Sequence, residues 1–204
     1  MTRFGYVLAT VTTAELFAAL FVTVALVQPR PRLIWNASAS APIGLYRLER
    51  DEHPPVDTLV AVLPPTPVAR WLAARRYLAE GVPLLKHVAA RPGQRICRAG
   101  GVVSVDARPI AVALSRDRRG RSLPVWRGCR TVKAGELLLL NPSVRDSMDG
   151  RYLGPLPASG LLGRAIPLLT RDAPGAPLRW RGLRPQPASQ PAKAKETGDV
   201  LHDL

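Results

Sequence analysis

From Phe4 to Val27 the chain runs through 24 residues, mostly Ala, Val, Leu, Phe and Thr, whose only charge is Glu15. About 20 such residues span a bilayer as a helix, so residues 1–27 are expected to form a transmembrane anchor. The block is longer than the apolar region of a signal peptide. No small-residue cleavage site follows it before Gln28-Pro29-Arg30-Pro31-Arg32, which makes it an uncleaved anchor. Arg3 lies on one side of the block and Arg30 and Arg32 on the other, so charge counting does not orient it. Glu15 would cost about 2.5–3.5 kcal/mol if charged at mid-membrane and is expected to be protonated or paired with another helix.

The full length of 204 residues allows one ordinary domain beyond that anchor. The net charge of +14 attracts anions of any kind, whether nucleic acid, anionic headgroups or acidic proteins. Aromatics make up only 5% of the chain, so the stacking platform of a single-strand binder is missing. The densest basic cluster, Arg116 to Arg121, reads as a solvated loop. Two cysteines, Cys97 and Cys129, are too few and too far apart to make a structural zinc site by themselves, and neither a metal nor a cofactor is expected. In an exported domain the pair reads as one disulfide, and otherwise as two separate buried thiols.

Past the anchor, short apolar runs broken by Pro, Gly and Asp suit an antiparallel β domain over residues 28–170. The expected strands are Leu45 to Leu48, Thr58 to Leu63, Leu84 to Ala89, Val102 to Val105, Ile110 to Leu114, Glu136 to Leu140 and Leu161 to Leu168. Arg98-Ala99-Gly100-Gly101 is the expected hairpin turn, since glycine accepts positive φ. One helical insert is predicted over Thr66 to Glu80, with Thr66 as N-cap, Pro67 in the first turn and Gly81 as terminator. Residues 171–204 are rich in Pro, Ala, Gly, Arg and Ser without apolar periodicity, and are expected to be a disordered tail.

Three segments carry chemistry. Asn36-Ala-Ser38-Ala-Ser40-Ala-Pro42-Ile-Gly44-Leu-Tyr46 places serines about a dozen residues beyond the anchor. Pro42 holds its own φ and pushes Ala41 towards an extended conformation, while Gly44 permits a sharp bend. In Pro83-Leu-Leu-Lys86-His-Val-Ala-Ala-Arg-Pro-Gly93, Lys86 falls inside an apolar strand-like run. A buried lysine loses hydration of its charged form, so its pKa drops towards neutrality and it can serve as a base. The third segment, Asn141 to Pro155, is a polar turn in which Asp149 and Arg151 can pair.

In this order, downstream of an anchor, the three segments resemble the bacterial type I signal peptidase family of S26-like Ser/Lys peptidases. The nearest likeness is to its conjugative-transfer, pilin-processing branch of the TraF type, and it covers roughly Trp35 to Leu168. The resemblance implies a signal-peptidase/LexA-like, mainly β antiparallel catalytic domain. It implies Ser40 as nucleophile and Lys86 as general base, a catalytic dyad. Ser38 is similar to the hydroxyl that joins the Ser40 N–H as the oxyanion hole. Ser147 resembles the hydroxyl that orients the lysine, and Asp149 with Arg151 the ion pair behind the site. His87 follows the base on the opposite strand face and His53 lies in a Pro-rich loop, so a Ser/His/Asp triad has no persuasive members. The family's Gly-Asp-Asn opening of the third motif is replaced here by Asn141-Pro142, and its methionine after the nucleophile by Ala41.

The implied protein is a single-pass serine endopeptidase of the bacterial inner membrane, with its catalytic domain on the periplasmic face. Its partners would be the membrane, a pilin-like precursor as substrate and other conjugative-transfer proteins, with nucleic acid not required. In that branch the acyl-enzyme is resolved either by water or by the pilin's own amino terminus. The alternative from another class is a non-catalytic basic tether in a DNA-transfer apparatus, suggested by Glu15 and the basic tail.

Overall fold

The computed structural model describes residues 2–27 and 31–183. The chain divides into two units, residues 1–32 and residues 33–204. The first unit is one helix, α1 (Arg3–Val27), long and apolar enough to cross a membrane. Three of its four threonines satisfy their hydroxyls within the helix. Thr10, Thr13 and Thr23 donate to the carbonyls of Tyr6, Ala9 and Ala19 at 2.9, 2.7 and 2.8 Å, each one turn back. Such back-bonding lets Thr sit in an apolar surround.

The second unit is mainly antiparallel β. Its large sheet contains β1 (Leu33–Asn36), β2 (Ile43–Glu49), β3 (Leu59–Val62), β4 (Leu84–Ala90), β9 (Glu136–Leu140), β10 (Leu156–Pro157), β11 (Leu161–Arg171) and β12 (Arg179–Trp180). Its order is β1-β2-β11-β3-β4-β9-β10, with β12 added to the end of β11. The smaller sheet, β7-β6-β5-β8, is made of β5 (Arg95–Ala99), β6 (Val102–Val105), β7 (Arg108–Val112) and β8 (Gly128–Thr131). The β5–β6 hairpin turns at Gly100-Gly101, where Gly100 has φ 57°. Cys97 and Cys129 face each other across β5 and β8 and are disulfide-bonded.

Alternation builds the core. In β4, Leu84, Lys86, Val88 and Ala90 share one strand face, and Leu84 and Val88 pack with Val60, Val62, Leu72, Leu137, Leu139 and Leu156. A second cluster, including Ala90, Ile96, Val103, Val132, Leu138 and Leu140, joins the small sheet to β4 and β9. Gly44 does not make the loop bend expected of it. It lies inside β2, where a Cβ would come within 2.0 Å of the Leu169 carbonyl oxygen, so glycine is required for β11 to pair closely there.

Several expectations change in extent; the strand expected over Ile110 to Leu114, for example, lies at Arg108–Val112. The helical insert is α2 (Thr66–Ala74), shorter than Thr66 to Glu80, with Pro65 rather than Thr66 at the N-cap. Arg76 takes φ 58° and turns the chain so that Tyr77 stacks on Trp71 at 5.7 Å and donates to Asp117 at 2.5 Å. Those tertiary contacts outweigh helix propensity before Gly81 is reached. Asp117 and Arg121 thereby tie the basic 116–121 loop down, where a wholly solvated loop was expected. Within the expected tail, residues 171–183 are ordered: Arg171 ends β11, and Arg179–Trp180 pair with Thr170 and Leu169. The pairing of β12 supplies the order that apolar periodicity does not. The remainder of that expectation, 184–204, lies outside the described residues.

Candidate active site

The loop between β1 and β2 is organised from within by Asn36, which is 7% exposed. Its Nδ2 donates to the carbonyls of Ser38 (2.8 Å), Ala41 (3.1 Å) and Pro42 (3.0 Å), and its Oδ1 accepts the Ser38 N–H (3.0 Å). Tyr46 adds a hydrogen bond from its hydroxyl to the Pro42 carbonyl at 2.6 Å. The loop thus has few ways to move. It presents Ser40 with Ser38 beside it, the two hydroxyl oxygens 3.0 Å apart, and the Ser40 N–H 3.3 Å from Ser38 Oγ. Two donors, the Ser38 hydroxyl and the Ser40 N–H, therefore lie at one spot next to Ser40 Oγ.

Lys86 reaches this loop from β4. Its Nζ is 3.1 Å from Ser40 Oγ and 2.8 Å from Ser147 Oγ, and the residue is 2% exposed. Burial is the largest influence on the amine and lowers its pKa from 10.5 to about 8. Asp149 pulls in the opposite direction and Arg151 in the same one. These two opposed charges leave desolvation in control.

Behind Ser147 stands an ion pair with almost no exposure. The Arg151 guanidinium donates to Asp149 Oδ1 at 2.9 Å and Oδ2 at 2.8 Å. It also donates to the carbonyls of Val144 (2.6 Å), Arg145 (3.1 Å), Asn141 (3.2 Å) and Ser147 (3.4 Å), so one buried cation gathers the whole 141–147 turn. Asp149 caps α3 (Gly150–Leu153) by accepting the Arg151 N–H at 3.1 Å. Gly150 must be glycine for α3 to lie on β9, since a Cβ there would come within 2.9 Å of the Leu139 carbonyl oxygen.

Asn141, not singled out from the sequence, joins all three segments. Its Nδ2 donates to the Ser40 carbonyl at 2.5 Å and the Leu85 carbonyl at 3.0 Å, and its N–H donates to Asp149 Oδ2 at 3.1 Å. With both amide hydrogens committed to carbonyls, its Oδ1 is an acceptor. It takes the His87 N–H (3.3 Å) and faces His87 Nδ1 (3.1 Å), which must then carry the ring proton. The signal was in the sequence: Asn141 stands where the resemblance expects glycine. Asn36 had a weaker one, an Asx residue at a strand end before a turn.

The structure brings together Ser38, Ser40, Lys86, Ser147, Asp149 and Arg151. It leaves His53 in an exposed loop, its N–H donating to Asp51. Cys97 and Cys129 serve the small sheet. No group of three or more His, Cys, Asp or Glu among the described residues has the arrangement of a metal site. A cleft of about 740 Å3, walled by Ile34, Trp35, Tyr77, Leu78, Leu84 and Leu85, opens onto Ser38, Ser40 and Lys86.

Comparison with known proteins extends over most of this framework. Residues 4–169 match the family described as signal peptidase, peptidase S26. A conjugal transfer protein TraF of Agrobacterium fabrum is 38% identical over 149 residues, covering 67% of this chain and 82% of that one. A probable conjugal transfer protein TraF of Sinorhizobium fredii is 37% identical over 146 residues, covering 66% of this chain and 76% of its own. A plasmid transfer protein TraF of Escherichia coli is 29% identical over 147 residues, with 66% and 81% covered. Among solved structures, a signal peptidase I from Enterococcus faecalis aligns with a TM-score of 0.34 and 16% identity, over 57% of this chain and 97% of that one. With the match running from the start of α1 to the end of β11, the chain belongs to the signal peptidase S26 family.

Proposed function

We propose that this protein is a membrane-anchored serine endopeptidase in which Ser40 is the nucleophile and Lys86 the general base, acting on a pilin-like precursor in conjugative transfer. The observation that carries the proposal is the 3.1 Å separation of Lys86 Nζ and Ser40 Oγ, with the amine buried and its pKa lowered. The neutral amine takes the Ser40 proton as Oγ attacks the scissile carbonyl. The negative charge that develops on the carbonyl oxygen meets the Ser38 hydroxyl and the Ser40 N–H. The C–N bond then breaks, and the leaving amine receives the proton back from Lys86. Ser147 holds Nζ in line, and Arg151 with Asp149 holds Ser147.

The pilin-like substrate rests on the TraF relatives. The inner-membrane location with an outward-facing domain rests on the S26 family and on α1 as anchor. The test is incubation of purified protein with a serine-directed acylating probe and, separately, with precursor-bearing membranes. Labelling at Ser40 and a shortened precursor are expected, and both should disappear in Ser40→Ala; the Lys86→Met variant should lose at least ~10³-fold in rate. Undiminished cleavage by Lys86→Met would sink the mechanism. Absence of labelling at Ser40 would instead favour a non-catalytic tether.

A further inference from the structure

A carboxylate that the catalytic steps leave unused stands beside the large cleft. Asp117, whose side chain is 8% exposed, gathers four donors. The Tyr77 hydroxyl (2.5 Å) and Arg121 Nε (2.7 Å) meet its Oδ2, and the N–H groups of Arg121 (2.8 Å) and Arg119 (2.9 Å) meet its Oδ1. The hairpin that carries Asp117 is fixed at its root. Arg116 and Ser122 bridge across it, and Leu123 is buried in one cluster with Ala113 and Tyr152, the neighbour of Arg151.

What Asp117 holds is part of the lining of that cleft. Tyr77, Leu78, Val82 and Pro83 line it from one segment, and Ile34 and Trp35 from β1. Residues 78–83 have no regular secondary structure, and the backbone hydrogen bond they make, from the Val82 N–H to the Ala79 carbonyl at 3.3 Å, is local. Tyr77 and Leu78 rest on the core cluster of Leu72, Leu84 and Val88, an apolar contact that has no direction. Direction comes from the Tyr77 ring. It stacks on Trp71 at 5.7 Å, lies under the Arg121 guanidinium at 4.9 Å, and ends in the bond to Asp117. The same corner is locked by Arg75 Nη1, which donates to the Ser122 carbonyl (2.9 Å), and by Arg121 Nη1, which donates to the Arg75 carbonyl (3.1 Å).

We infer that Asp117 is a positioning residue for specificity: through Tyr77 it fixes this wall, and the wall limits the size of the side chains a substrate carries before the cut. The inference rests on the peptidase reading and adds to it the element that decides which precursors fit. In the acyl-enzyme, the carbonyl carbon bonded to Ser40 Oγ carries the residues before the cut, and Ser38, the proposed donor to its oxygen, lines this cleft. The wall is held at both ends, by the clasp at Tyr77 and by β4 from Leu84 onward. A wall so held does not yield to extra methylene groups, and overpacking then opposes binding. Released at Tyr77, it yields.

The experiment uses the full chain in detergent micelles and a peptide substrate carrying Ala or Leu at the first, second or third position before the cut. In Asp117→Asn an amide NH2 replaces the oxygen that accepted from Tyr77 and Arg121, while the remaining oxygen can keep both backbone N–H groups of the hairpin. The Leu-to-Ala ratio of kcat/KM should rise about tenfold over wild type at one or more of these positions, through KM and not kcat. Tyr77→Phe keeps the ring and loses the hydroxyl. It should give the same rise, and it carries the test alone if the Asp117→Asn hairpin does not fold. The double variant should do no more than either single one, since both substitutions break one clasp. In parallel, binding of the same peptides is measured in a Ser40→Ala background, which cannot turn over. A Leu-to-Ala affinity ratio that rises there supports the clasp even if no peptide is cut, and absence of cleavage then counts against the peptidase reading alone. A ratio unchanged in both assays, additive effects of the two substitutions, or an equal loss for Ala and Leu peptides overturns the inference.

Discussion

At position 86 an amine has lost its water to a strand face shared with Leu84 and Val88, and two consequences follow from the same lowered pKa of about 8. For Lys86 to act as the proposed base, its amine must be neutral when it accepts the Ser40 proton. Turnover should therefore rise about tenfold per pH unit below pH 8 and level off above it. A profile of kcat/KM that is flat between pH 6 and 8 would exclude Lys86 as the base. Stability moves with the same proton. Between about pH 8 and 10.5 the unfolded chain holds the lysine proton and the folded one does not, so stability rises with pH across that window. Below it the folded protein carries a buried charge at a cost of about 3 kcal/mol, which is what holding the amine at about 8 rather than 10.5 amounts to. Two hydrogen bonds to Ser147 and Ser40 offset part of that cost, at about 1 kcal/mol each. Lys86→Met should thus unfold at or above the wild-type temperature at pH 7, with its advantage shrinking towards pH 10. Calorimetry at the two pH values reads this directly, and a variant less stable than wild type at pH 7 would contradict it.

The turn between β9 and α3 shows why a buried pair is weak evidence for stability yet hard to break. Asp149 and Arg151 are each about 2% exposed or less, and the guanidinium also serves four carbonyls. Asp149→Asn removes the countercharge and leaves Arg151 buried, which should cost about 3–5 kcal/mol in urea unfolding. A loss below about 1 kcal/mol would mean that the turn's carbonyls alone hold the cation. The three site segments were legible in the sequence because their residue types are unusual for their settings: a lysine in an apolar run, paired serines before Pro42 and an Asp-x-Arg turn. Two strands were legible to the residue: Val102–Val105, whose burial alternates, and Glu136–Leu140, a continuous apolar run buried on both faces. What escaped was set by contacts distant in sequence. The end of α2 depends on Tyr77 meeting Asp117, β12 on the length of β11, and the role of Asn141 on the Ser40 and Leu85 carbonyls, which lie 101 and 56 residues away.

For the molecule as a whole, the division at residue 32 separates a helix long and apolar enough to cross a membrane from the unit that folds around the candidate site. Every residue assigned a catalytic or supporting role lies in the second unit, together with both sheets and the hydrophobic clusters. Removing residues 1–32 should therefore leave a protein that folds and cleaves a soluble peptide at a rate within a few-fold of the full chain. The same deletion should lower processing of a membrane-embedded precursor far more, because the anchor confines enzyme and substrate to one surface and raises their effective concentration. Some membrane affinity should survive. Residues 1–32 carry three arginines and one glutamate, so the remainder keeps twelve of the fourteen net positive charges. Attraction of such a basic body to anionic headgroups is electrostatic and screened within about 8 Å at physiological ionic strength. The truncated protein should co-sediment with vesicles rich in phosphatidylglycerol at low salt, release at about 0.5 M salt, and ignore purely zwitterionic vesicles. Binding that is indifferent to salt and to lipid charge would instead require apolar insertion by the second unit. Peptide cleavage lost along with the anchor would show that the site depends on α1.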